Sequence, residues 1–144
     1  MPTELEYALM SGGSYLSTTH PRNQFPTPNG WTPLSTSRDD NSGFEAVAFQ
    51  QGTGANPSHI VISFAGTNFG VADLAADAAL GSGIVWSQQL GQAAAFYLGI
   101  LQNPLYSNAT ISFTGHSLGG GLAALLGVFF NQQGTTFDQA PLAL

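Results

Sequence analysis

Residues 110–126 read TISFTGHSLGGGLAALL, and the prediction of the fold starts from this stretch. Residues 110–114 form a β-branched and aromatic run that is typical of a buried strand, and residues 119–130 are apolar over the length of a helix. Between them, residues 115–119 read GHSLG, which matches the G-x-S-x-G pattern of a nucleophile elbow. The sequence therefore predicts a strand, a sharp turn at Ser117 and a helix.

The predicted turn gives each residue of the pattern a physical role. We expect Ser117 to have a strained backbone conformation that exposes its hydroxyl above the sheet. Gly115 and Gly119 flank it because a side chain at either position would collide with the neighbouring strand or helix. The N–H of Leu118 would lie at the helix N-terminus, where it could stabilise an oxyanion. The alternative is a glycine-rich helix start with an incidental serine.

A second stretch supports this interpretation. His59 to Ala65 reads HIVISFA, a run typical of a strand buried on both faces. It ends in Gly66-Thr67-Asn68, and an oxyanion hole needs a second donor from the end of an adjacent strand. The alternative is a plain turn after a core strand.

The rest of the chain alternates between strand and helix patterns. Strands are predicted at residues 44–50 and 135–137, and helices at 4–10, 68–80 and 88–102. In the last of these helices, apolar residues recur at helical spacing: Leu90, Ala94, Tyr97, Leu98 and Leu101. Strands separated by helices imply crossovers, so we expect an α/β fold with a mostly parallel sheet flanked by helices. Residues 18–42 are rich in Pro, Asn, Ser, Thr and Asp, which predicts a surface loop.

Composition excludes several classes of function. The chain has 144 residues, no cysteine and a formal net charge of −6, with 8 acidic residues against 2 basic ones. The lack of cysteine excludes thiol catalysis, disulfides and thiolate zinc sites. With only two arginines and no lysine, nucleic acid is not expected as a partner. Residues 1–10 lack the basic start of a secretory signal, so the compartment stays open, including secretion without such a signal.

The two quoted motifs resemble class 3 lipases, a family of serine hydrolases with the α/β-hydrolase fold. The resemblance rests on ISFAGT at 62–67 and FTGHSLGGGLAALL at 113–126. It implies that Ser117 is the nucleophile and that the main chains of Thr67 and Leu118 form the oxyanion hole, with the Thr67 hydroxyl as a further donor. It also makes residues 69–80 a candidate lid, and the alternative is a fixed helix that covers the core. The family usually has an arginine where this chain has Ala65.

The general base is missing from the expected place. In this fold the acid and the histidine follow the nucleophile, but no histidine follows Ser117. We expect His116 to pack beneath the elbow and His59 to lie about 20 Å away, at ~3.3 Å per strand residue. His20 lies in the early loop. Asp138 is the only acid after Ser117 and is the candidate third member of the triad.

Together these observations predict a serine carboxylester hydrolase, or lipase, for hydrophobic acyl esters. Its chemistry needs no metal or other cofactor. We expect residues 1–144 to be the N-terminal portion of a single α/β-hydrolase domain, truncated after the strand that follows the nucleophile helix. The catalytic histidine would then come from the C-terminal remainder, as a separate chain or fragment. The alternative is a non-catalytic hydrolase module that serves packing or binding.

Overall fold

A computed structural model describes residues 1–16, 25–65 and 82–137, and for residues 82–86 it describes the backbone only. The elements in chain order are helix α1 (Glu4–Gly13), strands β1 (Trp31–Asp39), β2 (Phe44–Gln51) and β3 (His59–Ala65), helix α2 (Ser82–Leu101), a 3-10 turn (Pro104–Tyr106), strand β4 (Thr110–His116), helix α3 (Leu118–Phe130) and strand β5 (Gln133–Phe137). The candidate lid at 69–80 lies outside the described residues.

Within these ranges the strands form one five-stranded sheet in the order β1-β2-β3-β4-β5. The α/β class predicted from the sequence is confirmed, but the sheet is mixed rather than mostly parallel. Strands β1, β2 and β3 pair antiparallel, whereas β3, β4 and β5 pair parallel. The reason is the length of the connections, because the short turns after β1 and β2 leave no room for a crossover helix.

The predicted surface loop at 18–42 is wrong for its second half, where β1 forms. This strand lies at the edge of the sheet and pairs with β2 alone, so it needs no continuous apolar run. Pro33 is tolerated there, next to a register shift between Pro33 and Ser35. A polar edge strand containing a proline therefore resembled a loop in the sequence.

Side chains alternate across the central strands and supply two separate cores. Ile60, Ile62 and Phe64 of β3 face α2 and α3. Val61 faces the other side of the sheet, where it packs with Tyr7 and Met10 of α1. The prediction that β3 is buried on both faces is confirmed, since all seven of its residues are buried. Its last residue, Ala65, lies beside His116 of β4 in the register.

Helix α1 begins with a capping box between Thr3 and Glu6. It does not end at residue 10 as predicted but continues through Ser11, Gly12 and Gly13. Gly12 is buried, and a Cβ atom there would collide with the ring of Phe25. The glycine therefore serves close packing rather than helix termination. The longer course of α1 brings Tyr15, just after the helix, to the carboxyl end of β4.

The packed face of α2 also differs from the expected one. Among residues 87–101 of this helix the buried ones are Gln89, Ala93, Tyr97 and Ile100, whereas Leu98 and Leu101 are exposed. Gln89 is held inside because its side-chain amide donates to the carbonyl of Ser42 at 2.7 Å. None of the helices in the described ranges is both long and apolar enough to span a bilayer.

Candidate active site

Ser117 stands between β4 and α3 in a conformation that serine rarely adopts. Its φ is 57° and its ψ is −119°, and its side chain does not cap the helix that follows. Among the described residues, the only other non-glycine residue with positive φ is Asn131, which has the common left-handed conformation of a helix cap. A side chain in the conformation of Ser117 costs about 1–3 kcal/mol, so the surrounding structure must hold it there. The residue is partly exposed, as a nucleophile must be.

The glycines of the elbow are required by close backbone contacts. A Cβ atom at Gly119 would collide with the carbonyl of Phe64 in β3, and one at Gly115 would collide with the carbonyl of Gly119. The first residues of α3 therefore lie directly against β3 and the end of β4. The collisions predicted from the sequence are present in the structure.

The peptide group between His116 and Ser117 is held at both ends. Its N–H donates to the carbonyl of Phe137 at 3.0 Å, so β5 fixes one side. Its carbonyl accepts a hydrogen bond from the hydroxyl of Tyr15 at 3.2 Å, so the segment after α1 fixes the other. These two contacts fix the peptide plane that leads into the strained serine.

The imidazole of His116 also contacts Tyr15, with 3.4 Å between Nδ1 and the hydroxyl oxygen. The two rings meet edge to face, with centroids 6.4 Å apart. This agrees with the expectation that His116 packs or bonds beneath the elbow. A tyrosine hydroxyl has one proton, and that of Tyr15 is given to the carbonyl of His116.

Two charged residues lie along the same row of the sheet. Arg38, Glu45 and Ala65 are paired in register across β1, β2 and β3, and His116 continues the row on β4. The Glu45 side chain is only 5% exposed, and its Oε1 lies 3.7 Å from Nε of Arg38. Burial, and then the negative charge of Glu45, raise the pKa of Tyr15 above its ordinary value of 10. The Tyr15 hydroxyl therefore keeps its proton and its ability to donate.

The start of α3 leaves several backbone N–H groups without an intrahelical partner, as an oxyanion hole would require. The first intrahelical bond runs from the N–H of Gly121 to the carbonyl of Ser117 at 3.2 Å. The N–H groups of Leu118, Gly119 and Gly120 precede it and have no partner within the helix. The described part of β3 ends at Ala65, next to His116, and Thr67 lies outside the described residues.

The other candidate residues are separated from the elbow or not described. His59 begins β3 opposite Thr110, at the far end of the sheet from Ser117. Its Nε2 lies 3.0 Å from Oγ of Ser112, and its ring is buried against Trp31. His20 and Asp138 lie outside the described residues. Across 1–16, 25–65 and 82–137 the side chains form no cluster able to hold a metal ion.

Sequence reasoning missed three contributors to the elbow. Tyr15 is separated from His116 by 101 positions, and no periodic pattern marks it. Phe137 contributes only its carbonyl, which no side-chain pattern reveals. Glu45 lies within an apolar strand, and only its pairing with Ala65 in the sheet shows that it belongs to the row of residues that leads to His116.

The fold and the elbow define a lipase-like α/β-hydrolase. A mixed sheet with a strained serine between a buried strand and a glycine-rich helix is the architecture in which this class places its nucleophile. The family model that describes the Tle-like phospholipase domain matches residues 6–143. Because this match covers nearly the whole chain, the protein belongs to the Tle-like phospholipase domain family.

Solved lipase structures share the fold at low sequence identity. The lipase of Rhizopus microsporus var. chinensis matches with a TM-score of 0.64 and 17% identity, over 92% of this chain and 54% of that one. Lipase II of Rhizopus niveus matches with a TM-score of 0.63 and 18% identity, over 92% and 58%. The mono- and diacylglycerol lipase of Aspergillus oryzae matches with a TM-score of 0.56 and 17% identity, over 91% and 58%. The chain thus spans slightly more than half the length of these lipases.

Proposed function

We propose that this domain hydrolyses carboxylic esters of lipids, with Ser117 as the nucleophile. The observation that carries the proposal is the backbone conformation of Ser117 at the carboxyl end of β4, with α3 starting immediately after it. The strained conformation lowers the stability of the fold, and the side chain does not offset this cost by capping its own helix. A chemical role for the hydroxyl accounts for the strain. Membership of a phospholipase family makes phospholipids the first substrates to test.

In the proposed reaction, Ser117 Oγ attacks the ester carbonyl carbon while a histidine takes its proton. The negative charge on the carbonyl oxygen is stabilised by the N–H of Leu118 and, we propose, by the main chain of Thr67. The histidine then protonates the leaving alcohol as the carbon–oxygen bond breaks, which leaves an acyl-enzyme. Water attacks this ester and releases the fatty acid and free Ser117. No step in this sequence requires a metal or a cofactor.

The proton acceptor must be a group other than the two described histidines. His59 is bonded to Ser112 at the far end of β3, and His116 is bonded to Tyr15 beneath the elbow. No histidine follows Ser117 in the sequence. We therefore propose that polypeptide outside these 144 residues supplies the catalytic imidazole. Asp138 directly follows Phe137, whose carbonyl binds the N–H of Ser117, and we propose it as the acid.

The test compares wild-type protein and Ser117→Ala, purified with every polypeptide that accompanies them. The substrates are phosphatidylcholine vesicles, a triacylglycerol emulsion and the soluble ester p-nitrophenyl butyrate. We expect the wild type to release fatty acid or nitrophenol and the variant to release none above background. If the 144-residue chain alone is slow, added imidazole should accelerate the wild type but not Ser117→Ala once the hydrolysis by imidazole without protein is subtracted, because imidazole replaces the missing base.

The absence of a histidine after Ser117 favours one other reading, a module that binds or packs without catalysis. A folded wild-type preparation that contains every associated chain, hydrolyses none of the three esters and is not labelled at Ser117 by a fluorophosphonate would favour that alternative. Hydrolysis of p-nitrophenyl butyrate with neither lipid cleaved would retain the esterase chemistry and reject the lipid substrate.

A further inference from the structure

The strained conformation of Ser117 must be held by its surroundings. Two hydrogen bonds hold the peptide group that precedes it, one at the carbonyl and one at the N–H. A peptide group is planar, so fixing its oxygen and its N–H fixes the whole plane. Tyr15 holds the oxygen at 3.2 Å and the carbonyl of Phe137 accepts from the N–H at 3.0 Å. With this plane fixed and the first turn of α3 packed against β3, Ser117 cannot relax to negative φ without displacing the helix or breaking one of the two bonds.

Tyr15 is itself held firmly. Its ring and that of His116 meet edge to face, and its hydroxyl oxygen lies 3.4 Å from Nδ1 of that residue. The buried carboxylate of Glu45, paired with Arg38, lies close enough to act on the phenol electrostatically. Among the described residues, these are the charged and titratable groups that face Tyr15 from β1, β2 and β4. The negative charge opposes ionisation, so the hydroxyl remains the donor that the carbonyl needs.

We propose that Tyr15 is a positioning residue for Ser117 and that it acts through the His116–Ser117 peptide group rather than on the substrate. This inference rests on the ester hydrolysis proposed above. Without the hydroxyl, the carbonyl of His116 loses the hydrogen bond from Tyr15, and the peptide plane rotates more easily toward a relaxed serine. The Ser117 hydroxyl and the N–H of Leu118 are displaced together, because both follow the same backbone torsions. Attack and oxyanion stabilisation are therefore weakened in the same step.

The chain offers a matched control on the same segment. Tyr7 of α1 is also buried, and its hydroxyl bonds to Oγ of Ser112 at 2.9 Å. That bond reaches β4 five residues before Ser117 and touches no backbone group of the elbow. Tyr7→Phe and Tyr15→Phe remove the same atom from the same face of the sheet. A purely structural role for both tyrosines predicts the same consequences for catalysis.

The experiment measures three quantities in the wild type, Tyr15→Phe and Tyr7→Phe. These are kcat and KM for p-nitrophenyl butyrate, the hydrogen-exchange rate of the Ser117 amide by NMR, and the free energy of unfolding. We expect Tyr15→Phe to lower kcat about tenfold with KM unchanged, since one hydrogen bond that supports the transition-state geometry is lost. We expect exchange of the Ser117 amide to accelerate about tenfold for the same reason. Tyr7→Phe should leave kcat and this amide unchanged.

The inference is overturned if the two variants have equal kcat and equal exchange at Ser117, whatever their stability. It is also overturned if Tyr15→Phe raises KM and leaves kcat unchanged, because the hydroxyl would then contact substrate. A wild type without esterase activity would reject the proposed function separately. The amide comparison would still decide whether Tyr15 restrains Ser117.

Discussion

Two groups, each made of a tyrosine, a histidine and a serine, lie along the α1-facing side of β4, one toward each end of the strand. Only one of these two groups has the geometry of an active site. At the far end, the hydroxyl of Ser112 bonds to both Tyr7 and His59, and all three side chains are buried. At the carboxyl end, Tyr15 and His116 are bonded to each other, and Ser117 is partly exposed.

The difference between the two ends lies in the backbone. Ser112 is within a regular strand and its hydroxyl is bonded to two partners, although its Oγ is only 3.0 Å from a histidine nitrogen. Ser117 has a positive φ and lies at a helix N-terminus. A serine–histidine contact of good length therefore does not identify a nucleophile. The strained turn at a helix N-terminus is the feature on which the proposed role of Ser117 rests.

The largest expected effect separates the two serines. We expect Ser117→Ala to lower ester turnover by at least about 10³-fold, because the attacking oxygen is lost. Ser112→Ala should retain turnover while losing about 1–3 kcal/mol of stability, since Tyr7 and His59 then lack a buried partner. Initial rates and urea unfolding of both variants check this. Equal losses of turnover would mean that the far end takes part in catalysis.

The next effect tests the close contact that forms the elbow. A Cβ atom in Gly119→Ala would strike the carbonyl of Phe64, so α3 and β3 must separate. We expect a loss of about 1–3 kcal/mol together with slower turnover. Gly91→Ala in α2 is the control, because no atom lies within 4 Å of its added Cβ. The free energy of unfolding of that variant should rise by about 0.5–1 kcal/mol, and its turnover should be unchanged. A destabilised Gly91→Ala would show that helix propensity does not govern the effect of alanine at this position.

The smallest effect is a pH dependence at the far end. Burial, and then the positive amino terminus, lower the pKa of His59 below its ordinary 6.5. Below pH 6.5 the unfolded state binds a proton at His59 more readily than the folded state does. The stability that His59 contributes above pH 6.5 is therefore lost as the pH falls through its lowered pKa. We expect the melting temperature to fall between pH 7.5 and pH 5.5, and to fall less in His59→Gln.

Other shifted groups do not interfere in this range. The pKa values of Glu6 and Asp39 are lowered from 4.5 and 3.8, chiefly by hydrogen bonds, so both carboxylates stay ionised above pH 5.5. Parallel losses in the wild type and in His59→Gln would show that His59 does not cause the pH dependence.

The parts of the fold that the sequence predicted are those with local patterns. Strand β3 begins and ends where its apolar run does, and β4 continues two residues beyond the predicted 110–114. Helix α3 starts one residue before the predicted 119. In each case a run of apolar residues has a glycine at one end, and close backbone contacts require Gly115 and Gly119, as the motif predicts.

The parts that were missed depend on distant contacts. Strand β1 gains its order from pairing with β2 rather than from its own apolar residues. In α2 most residues are apolar, so periodicity alone did not select the buried face, and the bond from Gln89 to Ser42 decides it. At the site, the conformation of Ser117 followed from its motif. The groups that maintain this conformation, Tyr15 and the carbonyl of Phe137, are brought to it only by the folded sheet.

The most direct measurement is covalent capture of the nucleophile by a fluorophosphonate, followed by peptide mass mapping. We predict a single adduct on Ser117 in the wild type, no adduct on Ser112, and no adduct anywhere in Ser117→Ala. An adduct on another serine, or no adduct at all in a folded preparation that includes every associated polypeptide, would contradict the assignment of Ser117 as a poised nucleophile.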